Sequence, residues 1–252
     1  MQSFTNILDS FKGISLQELD HVQLMNRIDT KFAFSTEQLF DFLTILQTDY
    51  NVLELENTRV HRYESLYFDD EQFSFFKDHH NGKTDRFKVR IRKYVESNVY
   101  FLEIKHKIKG RTYKERIPAE TFDTIINKTY KEFLVKQLQE DKELVPTMWN
   151  SFQRITLASK TLNERVTLDF NINFHYQETE RQFDHLVIAE LKQENLNRNS
   201  PFYLLMKENQ IRSYHLSKYC IGSMEIYGEE KLKFNRFKKK LLFLNKIAKN
   251  AT

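Results

Sequence analysis

A single cysteine, Cys220, in a chain of 252 residues excludes an internal disulfide and a thiolate metal cluster, and it points to a reducing compartment such as the cytoplasm. Glycine and proline are scarce, at five and three residues, which excludes collagen-like sequence, flexible linkers and strings of separate modules. The glycines, Gly13, Gly82, Gly110, Gly222 and Gly228, have neither dinucleotide-fingerprint nor P-loop spacing, so any nucleotide phosphates must be held by side chains. No apolar run approaches the ~20 residues of a membrane-spanning helix. Residues 1–13 lack the basic segment and apolar run of a secretory leader. Hydrophobic residues at 40% and aromatics at 14% are too many for a disordered chain. A soluble globular chain remains, expected to form one compact unit. Lys plus Arg number 39 against 35 Asp plus Glu, a net charge of +4, so the position of the charges carries more information than their total.

Local patterns give an α+β chain. Ser15 and Glu18 form a capping box ahead of an apolar stripe of Leu16, Leu19, Val22 and Met25. Residues 26–34 read as a strand. Ser35 and Gln38 then cap a helix carrying Leu39, Phe42, Leu43 and Leu46. Residues 60–117 alternate with period two, broken by a polar turn at 79–83 and a tight turn at Lys109 and Gly110, which predicts an antiparallel meander. Pro118 suits the first turn of a helix containing Phe122, Ile125, Ile126, Phe133, Leu134 and Leu138. Alternation returns at 151–157, 165–174 and 186–192, and Ser200 with Pro201 signals another helix. Residues 1–228 read as one domain. Residues 229–252, with eight Lys or Arg and two Glu around Leu232, Phe237, Leu241, Leu244 and Ile247, read as a basic amphipathic helix packed on it.

Alternate residues of a strand share a face. Splitting residues 86–94 gives Arg86, Lys88, Arg90, Arg92 and Tyr94 opposite Phe87, Val89, Ile91 and Lys93. Residues 99–107 put Glu103, Lys105 and Lys107 opposite Tyr100, Leu102, Ile104 and His106. The next strand offers Thr112, Lys114 and Arg116. Residues 165–174 set Arg165, Thr167, Asp169, Asn171 and Asn173 against Val166, Leu168, Phe170, Ile172 and Phe174. Glu190 pairs with Lys192 on one row, and Arg27, Asp29 and Lys31 form another. A solvated sheet face produces alternation too, but the repeated carboxylate two residues before a lysine (Asp29, Glu103, Glu190) asks for more. An antiparallel β-barrel with helices packed on its outside would turn these rows inward. Such a cationic interior is costly unless polyanions fill it. Arg and Lys clamp phosphoryl oxygens, and carboxylates recruit Mn²⁺ or Mg²⁺.

Nine segments, NRIDTKFAF, YESLYFDD, RFKVRIRKY, FLEIKHK, YKERIP, QRITL, ERVTLDFNINF, VIAELKQ and LSKYCIGSMEIY, resemble in order the triphosphate tunnel enzymes. Within them they resemble the VTC domain, the polyphosphate polymerase module of vacuolar transporter chaperone complexes. The resemblance implies that Arg27 and Lys31 match a phosphate-gripping Arg-x-x-x-Lys and that Arg90 and Arg92 match paired arginines. Lys88, Lys105, Lys114, Arg154, Arg165, Lys192 and Lys218 would supply the remaining basic positions. Arg90, Arg92, Lys105, Lys192 and Glu190 would be the catalytic set, with Glu190, Glu103 and Asp169 as metal ligands. The wider superfamily often opens with Glu-x-Glu-x-Lys; here Arg27-Ile28-Asp29-Thr30-Lys31 replaces the first acid, which favours the VTC branch over thiamine-triphosphatase or class IV cyclase-like assignments.

The implied reaction moves the γ-phosphoryl group of a nucleoside triphosphate to phosphate, pyrophosphate or polyphosphate, with Mn²⁺ or Mg²⁺. A tripolyphosphate or nucleoside triphosphate hydrolase using water is the alternative. A noncatalytic polyphosphate- or RNA-binding module is a third reading, disfavoured because inward acids add little to anion binding. A nucleic-acid partner is not expected. Coupling to transport would need a separate membrane protein. His79 and His80 read as a solvated turn rather than a metal site, and Cys220 as buried. Tyr67, Phe68, Phe73, Phe75 and Phe76 read as packing residues, although aromatics among cations also suit single strands.

Overall fold

The computed structural model describes residues 4–20, 27–109 and 111–249. In chain order they form α1 (Phe4–Asp9), β1 (Gly13–Ile14), α2 (Leu16–Asp20), β2 (Ile28–Ser35), α3 (Thr36–Leu46), β3 (Tyr50–Leu53), β4 (His61–Asp69) and α4 (Ser74–Asn81). There follow β5 (Arg86–Tyr94), β6 (Val99–Ile108), β7 (Arg111–Ala119), α5 (Lys128–Leu138), β8 (Val145–Ser159), β9 (Glu164–Tyr176), β10 (Thr179–Phe183) and β11 (Leu186–Gln193). Three helices close the chain: α6 (Pro201–Glu208), α7 (Lys218–Lys231), broken at Gly228, and α8 (Asn235–Lys249). Both capping boxes form: Glu18 accepts from the Ser15 amide at 2.7 Å, and Ser35 and Gln38 satisfy each other's amides. Val22, Met25, Asn26 and Gly110 lie outside the described residues.

One sheet runs in the order β2-β11-β9-β8-β4-β5-β6-β7, with β3 on β8, β10 on β9 and the short β1 parallel to β3. The closed barrel expected from the sequence is not formed, because β2 and β7 end the sheet without pairing to each other. The free edge of β2 is taken by another segment: the Tyr214 amide donates to the Lys31 carbonyl at 2.8 Å. The sheet is nevertheless strongly curled. Laid flat, β2 and β5 would stand about 24 Å apart, five interstrand spacings. Yet Lys31 on β2 acts electrostatically on Lys88 of β5, and Glu190 on β11 acts on Lys105 of β6.

The convex side of β2, β11, β9 and β8 presents Phe32, Phe34, Val187, Ala189, Leu191, Val166, Leu168, Phe170, Ile155 and Leu157 to α1, α3 and α6. Leu39, Phe42, Leu43 and Leu46 of α3 are all buried there. Val89, Ile91, Leu102 and Ile104 of β5 and β6 share a second cluster with Phe75 and Phe76 of α4 and Tyr130, Leu134 and Leu138 of α5. Helices also enter the concave side, where the sequence placed none. Ala33, Ile188, Ile172, Phe174 and Met148 share a cluster with Tyr219, Cys220, Ile221 and Met224 of α7 and Phe237, Leu241 and Leu244 of α8. One half of the concavity is thus apolar and filled, and the other half is charged.

A β-bulge divides the two halves. Between the pairs Ser151↔Asn173 and Gln153↔Phe170, β9 has one residue more than β8, and Asn171 takes a left-handed conformation with φ 48. The extra residue turns the chain over. Phe170 therefore faces α3 and α6 while Ile172 and Phe174 face α7, although all three occupy one alternating row in the sequence.

Two further segments differ from the expectation. Residues expected in a polar turn at 79–83 largely belong to α4, which ends on Gly82 at φ 73. That helix starts directly after β4 because the buried Asp69 carboxylate accepts from the amides of Phe75 and Phe76, each at 2.9 Å. Pro118, expected to open a helix, instead lies in β7 opposite Phe101. An edge strand tolerates proline where its missing N–H would face outward. The next helix starts at Lys128 behind the Asn127 cap. Among the described residues no helix is long and apolar enough to cross a membrane.

A Cβ built at Gly222 would run into Met148 Sδ and the Phe174 ring, so α7 seats on the sheet only because this residue has no side chain. Gly222→Ala is expected to cost about 1–3 kcal/mol, read as a lower urea midpoint with an unchanged slope. An unaltered midpoint would show that α7 is not held this closely.

Candidate anion-binding site

The charged half of the concavity is lined by the rows read from the sequence. Neighbouring strands bring Arg90 opposite Glu103 and Lys88 opposite Lys105, Lys105 opposite Lys114 and Glu103 opposite Arg116. Across the curl, Lys31 faces Glu190, Arg154 faces Asp169 and Lys192 faces Arg165. Lys218 enters from the first turn of α7.

Each carboxylate is held by at least two cations. Glu103, fully buried, accepts from Arg90 Nε at 2.9 Å and Nη2 at 2.6 Å, and Lys114 Nζ lies 2.5 Å from its other oxygen. Burial alone would raise its pKa, but Arg90, Arg92 and Lys114 hold it far below the ordinary carboxylate range. Asp169 takes Arg154 through both oxygens, at 2.5 and 2.7 Å, and also Lys218. Against the same burial cost these cations hold it well down. Glu190 contacts Lys192 and, at 3.0 Å, Lys31. Burial again works against its charge, and Lys192, Lys31 and Lys105 prevail.

Among the described residues Lys88, Arg92 and Lys105 have no carboxylate within ion-pair distance. Burial pushes all three down: Lys88 to about 8, Lys105 well below its ordinary value with Arg90 and Arg92 adding to the effect, and Arg92 downward with Arg90 as the second cause. A confined cation without a counter-ion is costly in free energy. What steadies Arg92 is weaker: a 3.2 Å hydrogen bond to Ser65 Oγ and the rings of Tyr63 and Phe152 at 5.3 and 5.6 Å. Lys218, despite Asp169, is lowered by burial to about 8. Lys192 is also lowered by burial, with Glu190 opposing.

Arg27 and Arg165 stand at the rim. Arg27 is bound to Asp29 at 3.0 Å, with 41% of its side chain exposed, and Arg165 donates to the Leu19 carbonyl at 2.6 Å. Sequence reading missed the β4 row of Tyr63, Ser65 and Tyr67. Tyr67 Oη accepts from Arg90 at 3.1 Å, and the Tyr63 ring lies under both Arg92 and Arg154. The signal was available, since residues 63, 65 and 67 alternate like the cationic rows, but the aromatics read as core. His79 and His80, read from the sequence as a solvated turn, lie half-buried in the last turn of α4, where His79 Nε2 is 3.2 Å from the Phe87 carbonyl. Cys220 is buried.

The donor set bears on a divalent ion. Among the described residues no three His, Cys, Asp or Glu side chains come together as a metal cage. All three carboxylates carry cations on both oxygens, but Glu103 and Asp169 side chains are 0% and 4% exposed whereas Glu190 is 20% exposed. Mg²⁺ commonly takes one or two carboxylates and completes its shell with substrate phosphates and water. These residues fit an ion carried in by a phosphate chain, for which Glu190, the most exposed of the three acids, would be the protein ligand.

The family model of the VTC domain matches residues 26–227. Comparison with the curated proteins gives no match. Among solved structures, the chain is similar to a proposed adenylate cyclase from Vibrio parahaemolyticus, with 11% identity, 79% of this chain and 99% of that chain covered, and a TM-score of 0.47. A proposed adenylate cyclase from Bacillus halodurans gives 13%, 77%, 96% and 0.45. A proposed adenylyl cyclase from Hippeastrum, with a dominant triphosphatase activity, gives 14%, 82%, 99% and 0.46.

Two outcomes follow from the unpaired cations. Arg92→Met is expected to leave the melting temperature of the free protein unchanged or raised, and to weaken tripolyphosphate binding at least tenfold, about 1.4 kcal/mol. A lowered melting temperature with intact affinity would make Arg92 a structural cation. The second outcome concerns pH. Folding lowers Lys88 to about 8, so between about pH 8 and its ordinary 10.5 the folded state binds fewer protons and this lysine's contribution to stability rises with pH. Anion binding has the opposite sign, because it needs the charged lysine. Sulfate, which does not titrate near pH 8, should bind with proton uptake there, seen by calorimetry in two buffers of different ionisation enthalpy, and Lys88→Met should reduce that uptake. Equal uptake in the variant would remove Lys88 from the site.

Proposed function

The chain belongs to the VTC-domain family, and from that premise we propose that it is a metal-dependent phosphotransferase. It moves the γ-phosphoryl group of a nucleoside triphosphate to inorganic phosphate, pyrophosphate or a growing polyphosphate end. The observation that carries this reading is the set of unneutralised cations, Arg92 buried and Lys88 and Lys105 half-buried, beside cations already paired with Glu103, Asp169 and Glu190. A single monoanion would leave much of that charge uncompensated, whereas a phosphate chain meets several cations at once.

Phosphoryl transfer places little covalent demand on a protein, and positioning with charge stabilisation accounts for most of its catalysis. Arg90 is oriented by Glu103 and Tyr67 and Arg154 by Asp169, so their guanidinium planes are set before an anion arrives. Arg92 and Lys105 supply charge that no protein carboxylate has already taken. Lys31 and Lys192 flank Glu190, and an arriving phosphate chain can share these lysines, leaving Glu190 as the residue that would hold Mn²⁺ or Mg²⁺. A bound ion would supply positive charge to the phosphate chain. The bond from the γ-phosphorus to its bridging oxygen breaks as an acceptor phosphate oxygen bonds to that phosphorus, and the nucleoside diphosphate leaves.

Purified protein with ATP and Mn²⁺ or Mg²⁺, with and without pyrophosphate, is expected to give long polyphosphate on a gel. Glu190→Gln should lower turnover at least a hundredfold while ATP binding persists. Free phosphate as the sole product would establish the hydrolase instead. Salt-sensitive polyphosphate binding without turnover of any triphosphate would establish a noncatalytic binder. Full activity in Glu190→Gln would remove that residue from catalysis.

A further inference from the structure

The β7 edge carries an exposed and self-complementary strand. Among the described residues β7 pairs only with β6, and Arg111, Thr112, Tyr113, Lys114, Glu115 and Arg116 are all exposed. Tyr113 is 50% exposed, an unusual place for a large aromatic on a sheet edge. Neither Arg111 nor Glu115 has an ion-pair partner among the described residues. A bare edge of this length offers a row of backbone donors and acceptors to another strand.

Proline fixes which backbone groups are free. Pro118 has no N–H and is tolerated in a strand where that side faces outward. Residues of the same parity, Thr112, Lys114 and Arg116, therefore turn their amides and carbonyls away from β6. We propose that this edge is a homodimer interface, in which β7 pairs antiparallel with β7 of a second copy about a two-fold axis at Tyr113.

Symmetry restricts the register. A two-fold axis perpendicular to the sheet keeps opposed side chains on one face, so it must pass through a residue pair and not between residues. Centred on Lys114, the pairing would set two lysines directly opposite each other, which is unfavourable. Centred on Tyr113, it sets Arg111 opposite Glu115 of the second copy twice, flanking a Tyr113–Tyr113 contact on the same face. Thr112 and Lys114 of opposite copies then exchange backbone hydrogen bonds. The charges that would guard an edge against arbitrary strands here select one partner, the chain itself. Lys114, bound to Glu103 in the anion site, would stand beside Thr112 of the second copy, joining the interface to the site's rim.

Sedimentation velocity over a micromolar to near-millimolar series tests this interface. Wild type is expected to shift from monomer to dimer. Arg111→Glu and Glu115→Arg should each weaken dimerisation at least tenfold by facing like charges, and the doubly reversed chain should recover it. Tyr113→Cys provides an independent readout. Cα atoms of a non-hydrogen-bonded antiparallel pair lie about 4.5 Å apart, within disulfide range, so the variant should form an intermolecular disulfide under mild oxidation. A wild type that stays monomeric throughout would overturn the proposal. So would a dimer indifferent to both single reversals, or one in which Tyr113→Cys remains unlinked.

Discussion

Confined positive charge is the constraint on which the architecture depends. The charged half of the concavity gathers Lys31, Lys88, Arg90, Arg92, Lys105, Lys114, Arg154, Lys192 and Lys218 around three carboxylates. Each acid is shared by two or more of these cations, and the remainder are held by rings, a serine hydroxyl and the rigidity of the strands. Burial and mutual repulsion lower the pKa values of Lys88, Arg92 and Lys105. The free energy to hold this arrangement comes from elsewhere, in two large apolar clusters that clamp the sheet from its convex side and fill half of its hollow. A site strained in this way is preorganised for an anion, since the cations need not be gathered when one arrives.

The apolar half of the concavity does more than add core. It seats the start of α7, from which Lys218 reaches Asp169 and Tyr219 reaches Asp69. Asp69 in turn anchors the first turn of α4, and Tyr219 stacks on Tyr67, whose hydroxyl accepts from Arg90. Helix packing and site geometry are therefore linked through two adjacent residues of one helix. Its burial raises the Asp69 carboxyl to about 6 even though backbone and tyrosine donors oppose that shift. This buried acid belongs to the frame of the site and not to its anion-facing surface.

Much of this was legible in the chain. The Ser35–Gln38 box and the Leu39, Phe42, Leu43, Leu46 stripe described α3 from local spacing alone. The rows Arg86, Lys88, Arg90, Arg92 and Glu103, Lys105 identified the cationic face because strand periodicity is a property of the backbone. Three things were not legible. The flip at Asn171 depends on one extra residue in β9 relative to β8, which appears only when the strands are paired. Pro118 fits a helix start and an edge strand equally well, and its neighbours across the sheet decide between them. Tyr63 and Tyr67 look like core residues until the guanidinium groups above them are in place.

The sequence by itself determined the alternation that sorts charged from apolar side chains, the caps that start α3 and α6, the absence of glycine-rich phosphate loops and the supply of arginine and lysine that must replace them. Tertiary structure decided which cations remain without a carboxylate, that the sheet curls without closing, and that α7 occupies half of the hollow. The reason is physical: periodicity acts over a few residues along one strand, whereas neutralisation of a charge and closure of an edge depend on groups brought together from distant parts of the chain.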